Sequence, residues 1–129
     1  MSKTNLQTKP DAIIITMPAS FFQEYTMEKF VYDMDQMNIV DGYVWYMVKK
    51  NLPKIITQYC YILYDGKIQY RTEIAQMVHN QTLRFTRPGG TIKTFPNANY
   101  IELIGPTVKA PYDIPMKGFR GFRYSPLIY

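Results

Sequence analysis

At 129 residues, with 47% apolar and 19% charged side chains, the chain has the length of one domain and is too apolar and too weakly charged to be disordered. Its net charge of +5 is unevenly placed: residues 1–83 carry eight Lys/Arg and eight Asp/Glu, whereas residues 84–129 carry seven against two. A cationic last third suits an anionic partner, most often nucleic acid, although the same asymmetry occurs on proteins that bind nothing anionic.

Residues 1–10 are polar and are read as a flexible N-terminal tail ahead of a single domain over 11–129. They lack the apolar stretch of a signal peptide, and no apolar run approaches the ~20 residues of a spanning helix. The expectation is an intracellular, cytoplasmic protein that does not enter a membrane. Cys60, the one cysteine, lies in the run Tyr59-Cys60-Tyr61-Ile62-Leu63 and reads as a packed strand thiol. His79 has no second His or Cys with which to share a metal, so neither a metal site nor a cofactor is expected.

In chain order, Ala12-Ile13-Ile14-Ile15-Thr16-Met17 is a β-branched run closed by Pro18, as expected of a central strand buried on both faces. Ser20 can cap a helix, and Phe21, Phe22, Tyr25, Phe30, Val31, Met34 and Met37 follow helical spacing imperfectly, as two short helices broken near Thr26 would. Asp41-Gly42 is a turn signal before the strand former Tyr43-Val44-Trp45-Tyr46-Met47-Val48. The runs 59–64 and 67–72 flank Asp65-Gly66, the pair favoured in a two-residue hairpin turn. Residues 74–78 either continue that strand around a bend or form a helical turn. A short strand over 83–86 precedes the loop Arg87-Pro88-Gly89-Gly90. Another, Tyr100-Ile101-Glu102-Leu103-Ile104, is bounded by Gly105-Pro106, and a Pro-rich connection leads to a terminal strand over 119–124. These elements predict an α+β class: a small, mostly antiparallel β-barrel or curved sheet with one or two short helices against it.

No catalytic signature is present: no phosphate loop, no nucleophile elbow and no second His for a triad. Asp33 and Asp35 beside Glu28 read as a solvated helix face, since alternate helical residues do not face each other. The informative stretch is Lys117-Gly118-Phe119-Arg120-Gly121-Phe122-Arg123-Tyr124. If extended, it sets Arg120, Phe122 and Tyr124 on one side and Phe119 with Arg123 on the other, so each side pairs a guanidinium with a ring. Its glycines leave the backbone open to a base or a phosphate. The alternative is that Phe122 and Tyr124 fill the core while the arginines run along its rim. Tyr43, Trp45 and Tyr46, followed by Lys49 and Lys50, form a second candidate aromatic wall beside cations.

The run Tyr59 to Ile68, the strand 100–104 and the closing Gly118-Phe119-Arg120-Gly121-Phe122-Arg123-Tyr124 together resemble a PUA-like domain, the superfamily of PUA, ASCH and EVE modules. The likeness covers roughly residues 43 to 124 and lies in the order strand, hairpin, strand, Gly-and-aromatic terminal segment. It implies a small β-barrel flanked by short helices that binds RNA or DNA, often through a modified or flipped base. The ASCH motif of Gly, Lys and Glu near the first helix is missing where this chain reads Tyr25-Thr26-Met27-Glu28-Lys29-Phe30.

The sequence therefore points first to a nucleic-acid-binding module. Its phosphates would lie against Lys117, Arg120, Arg123, Arg84 and Arg87, with Lys49 and Lys50 beside Trp45, and a base against Trp45 or a tyrosine. One alternative is a small phage-type protein-interaction or inhibitor protein, whose partner is another protein met through a Tyr-rich surface. Another is a small hydrolase on a modified nucleoside that recruits Glu28, Lys29 and tyrosines.

Overall fold

The computed structural model describes residues 9–17, 26, 28, 29, 31, 32, 44–86 and 91–129. Among these residues six strands are present: β1 (Ala12–Thr16), β2 (Val44–Lys49), β3 (Tyr59–Tyr64), β4 (Lys67–Thr86), β5 (Ile92–Lys109) and β6 (Phe122–Ser125). They form one curled sheet, a half-barrel, in the order β2-β5-β4-β3-β1-β6. All neighbours are antiparallel except β1 and β3.

The β-branched run of β1 lies between β3 and β6 and is buried from Ala12 to Ile15, as a strand covered on both faces should be. Alternation splits the core in two. On one face Ile13, Ile15, Cys60, Ile62, Tyr70, Ile101 and Leu103 pack together, joined by Met47 from β2 and Phe122 from β6. On the other, Ala12, Ile14, Tyr61, Leu63 and Ile68 are covered by the chain's last segment through Ile114, Met116, Phe119, Ile128 and Tyr129. Tyr61 pins that cover: its buried hydroxyl accepts from the Ile128 N–H at 2.7 Å and the Tyr129 N–H at 3.1 Å, and donates to the Tyr129 carbonyl.

The Asp65-Gly66 hairpin is present, with Tyr64 opposite Lys67 and φ of 54° and 79° at the two turn residues. The strands after it are longer than the sequence suggests. The stretch 74–78 continues β4, and the expected separate strand at 83–86 is the end of the same element. Gly105-Pro106 does not end β5: Ile104 faces Glu73 and Val108 faces Arg71, so two extra residues are accommodated in β5 there. Proline, which lacks an N–H, is tolerated at such a bulge.

Further register shifts fall where Asn80 and Asn97 adopt φ of 51° and 50°. Beyond them 81–86 pairs only with 92–98 among the described residues. Phe85 lies opposite Lys93, whereas Tyr46 lies opposite Glu102; along a straight strand nine residues span about 30 Å. The rings of Phe85 and Tyr46 are nonetheless 5.2 Å apart. The ribbon thus doubles back at the two asparagines, and Leu83, Phe85 and Phe95 form a third cluster with Tyr46, Ala98 and Tyr100.

Of the expected helices, Glu28, Lys29, Val31 and Tyr32 are helical, and the Thr26 hydroxyl accepts the Lys29 N–H at 3.1 Å, the N-cap bond that starts a helix. Val31 is buried in the first cluster, which seats this turn on that face. Ser20, Asp33, Asp35, the Asp41-Gly42 turn and the 87–90 loop lie outside the described residues. No helix among the described residues is long and apolar enough to cross a membrane.

Candidate nucleic-acid interface

The terminal stretch singled out in the sequence is positioned by two contacts with β1. The Phe119 N–H donates to the Thr16 hydroxyl at 3.1 Å, and at Gly118 a Cβ would come within 3.1 Å of Thr16 Cγ2. The open side of Gly118 is therefore occupied by the chain itself, which corrects the expectation that this glycine leaves room for a ligand. After a turn at Gly121, φ +76°, β6 pairs Phe122 with Ile15, Arg123 with Ile14 and Tyr124 with Ile13.

The expected alternation holds for the rings. Phe122 packs on the first core cluster and meets Tyr124 edge-on at 5.3 Å, while Phe119 packs on the second and carries the Arg123 guanidinium 4.2 Å above its centroid. Phe119 and Phe122 are half-buried, whereas Lys117, Arg120, Arg123 and Tyr124 are exposed. Both sequence readings of this segment are thus partly realised: the phenylalanines anchor it and the cations stay at the surface.

Beside β6 lies a cleft of 370 Å³, at the lower end of the ~300–1,000 Å³ of small-ligand sites. It is lined by Lys9, Pro10, Asp11, Ile55, Tyr124, Ser125 and Pro126. The Tyr124 hydroxyl accepts the Ile55 N–H at 3.0 Å, which holds the ring while leaving it 39% exposed. Lys9 and Lys54 are exposed here too. With Lys117, Arg120 and Arg123 they make five exposed cations around the edge strand, none ion-paired among the described residues. The row follows β1 from Thr16 to Asp11, roughly 16 Å, and spans both faces of the sheet edge, with Arg123 on the Phe119 side and Tyr124 on the Phe122 side. Sequence reasoning missed Lys9, Lys54 and Ile55 because they lie in the charge-balanced part of the chain, and only the pairing of β1 with β6 brings them beside Tyr124.

The other expected site residues are not in this row. Trp45 is in β2, its backbone in register with Leu103, at the opposite end of the strand order; its side chain and all of Tyr43 lie outside the described residues. Lys50 is exposed, and its carbonyl accepts from Asn99 Nδ2 at 3.0 Å. Lys49 is half-buried, and burial holds its ammonium below the ordinary lysine range, partly offset by the nearby Cys60 sulfur. Arg84 is exposed on the folded-back ribbon, opposite Thr94, and Arg87 is outside the described residues.

Compared with known proteins, the chain matches no family model, no curated protein and no solved structure.

Proposed function

We propose that the protein binds single-stranded nucleic acid along β6, with phosphates on Lys54, Lys117, Arg120 and Arg123 and one base, natural or modified, over Tyr124 in the cleft. The observation that carries this reading is an exposed aromatic ring held in a cleft beside a row of cations that have no carboxylate partners among the described residues. Cations that track a backbone and a ring on which a base stacks are the two parts of sequence-tolerant single-strand binding. The resemblance to PUA-like modules points the same way, since nucleic acids are common ligands of that superfamily. Replacing Tyr124 with Leu should cost ~1–3 kcal/mol of oligonucleotide affinity and leave the salt dependence almost unchanged. Unaltered affinity would remove the stacked base from this reading.

A second reading, a protein-docking surface, is favoured by Ile56 and Leu127, which are 72% and 52% exposed close to residues that line the cleft. Under it, Ile56→Asp abolishes capture of the protein partner, and no oligonucleotide binds at ~50 mM salt, where phosphate contacts should be strong.

A further inference from the structure

We infer that Asp11 makes this cleft selective for bases that carry an exocyclic amino group, against uracil and thymine. The inference rests on the proposed function and names the base chemistry of the same site. Asp11 is exposed, but its backbone and one carboxylate oxygen are fixed by hydrogen bonds. Its N–H donates to the Ser125 carbonyl at 3.1 Å, and its own carbonyl accepts from the N–H groups of Gln58 and Tyr59 at 3.1 and 3.2 Å. Its Oδ2 accepts from the Leu127 N–H, also at 3.1 Å. The side chain is therefore oriented before any ligand arrives, and the residue lines the cleft that holds the Tyr124 ring.

Oδ1 has no hydrogen-bond partner, and the carboxylate has no ion pair, among the described residues. An ionised carboxylate only accepts hydrogen bonds, and it repels phosphate. In an otherwise cationic row its favourable partner is thus a donor on a base. The amino groups of cytosine, adenine and guanine supply one on the base edge. Uracil and thymine present a carbonyl oxygen at that position, and their one donor, the N3–H, lies between two carbonyl oxygens that repel a carboxylate.

Cytosine and thymine are matched in ring size, so oligodeoxycytidylate and oligodeoxythymidylate of equal length provide the test by fluorescence anisotropy. The unaltered protein should bind the cytidylate about three- to tenfold more tightly, the worth of one hydrogen bond. In Asp11→Asn the amide oxygen still accepts from Leu127 while the amide nitrogen becomes a donor, so the preference should vanish or reverse. Equal affinity of the unaltered protein for both oligomers, with salt-sensitive binding, would overturn the selectivity and leave the interface standing. A preference for cytidylate that persists in Asp11→Asn would also overturn the role of Asp11. Failure to bind either oligomer would remove the interface itself, and the selectivity with it.

Discussion

β1 and β6 run side by side, paired from Ala12 with Ser125 to Ile15 with Phe122, yet they do opposite work. β1 is aliphatic and buried over four of its five residues, whereas β6 buries only Ser125 and presents Arg123 and Tyr124 to solvent. An edge strand has a neighbour on one side only, so its side chains can serve a ligand while its backbone shares the order of the strand beside it. Stability and binding should therefore separate cleanly between two strands in direct contact.

Substitutions on the two strands, each scored for both properties, test that separation. Ile13→Ala should lower the free energy of urea unfolding by about 2–5 kcal/mol, because it opens a cavity in a fully buried cluster. Arg123→Ala, which gives up an exposed cation–π contact with Phe119, should cost at most about 1 kcal/mol. Equal losses would mean that β6 carries core stability and that the division is false.

Gly66→Val comes next, at about 1–3 kcal/mol, since a β-branched residue is strained at φ +79° in the hairpin that leads into β4. The Gly66 carbonyl accepts the Met116 N–H at 3.0 Å, next to Lys117, so the folded fraction should lose at most the phosphate contact of Lys117. Cys60 reports on the centre from within. Burial pushes its thiol up from 9.0 to about 12, so a thiol reagent should label the native protein slowly and the unfolded chain fast. The raised value also implies a pH dependence. The unfolded chain loses the thiol proton first, so this contribution to stability is whole below pH 9.0 and is lost as pH climbs towards about 12. Cys60→Ala should remove that part of the alkaline slope in urea titrations. The smallest effect belongs to Lys50→Ala at the far edge, which should leave both unfolding and nucleic-acid affinity unchanged.

Much of the centre is legible in the sequence because apolar runs and turn chemistry act locally. The Ala12 to Thr16 strand, the Asp65-Gly66 hairpin and the burial of Cys60 all follow from neighbours a few residues apart. The lengths of β4 and β5 do not, because each bulge resets the two-residue alternation, and positive φ at Asn80 and Asn97 folds the ribbon back where the pattern shows only a gap. The candidate site is half legible. Arg120, Arg123 and Tyr124 announce themselves by alternation, whereas Lys9, Asp11 and Lys54 join them only through the pairing of β1 with β6 and the Ile55–Tyr124 hydrogen bond. Trp45, close to Lys49 and Lys50 in sequence, belongs to the other end of the strand order.

If the cations around β6 hold phosphates, binding must depend on salt. Affinity for a fluorescent single-stranded oligonucleotide, measured by anisotropy from ~50 to ~200 mM salt, should fall steeply, with log K linear in log salt and a slope near −0.7 per phosphate neutralised. In the Arg120→Ala, Arg123→Ala double variant the slope should shrink by about 0.7 for each phosphate that is no longer neutralised, with the unfolding curve hardly moved. A variant that kept the slope of the unaltered protein, or an unaltered protein that bound no RNA or DNA, including pools with modified bases, at ~50 mM salt, would contradict the account.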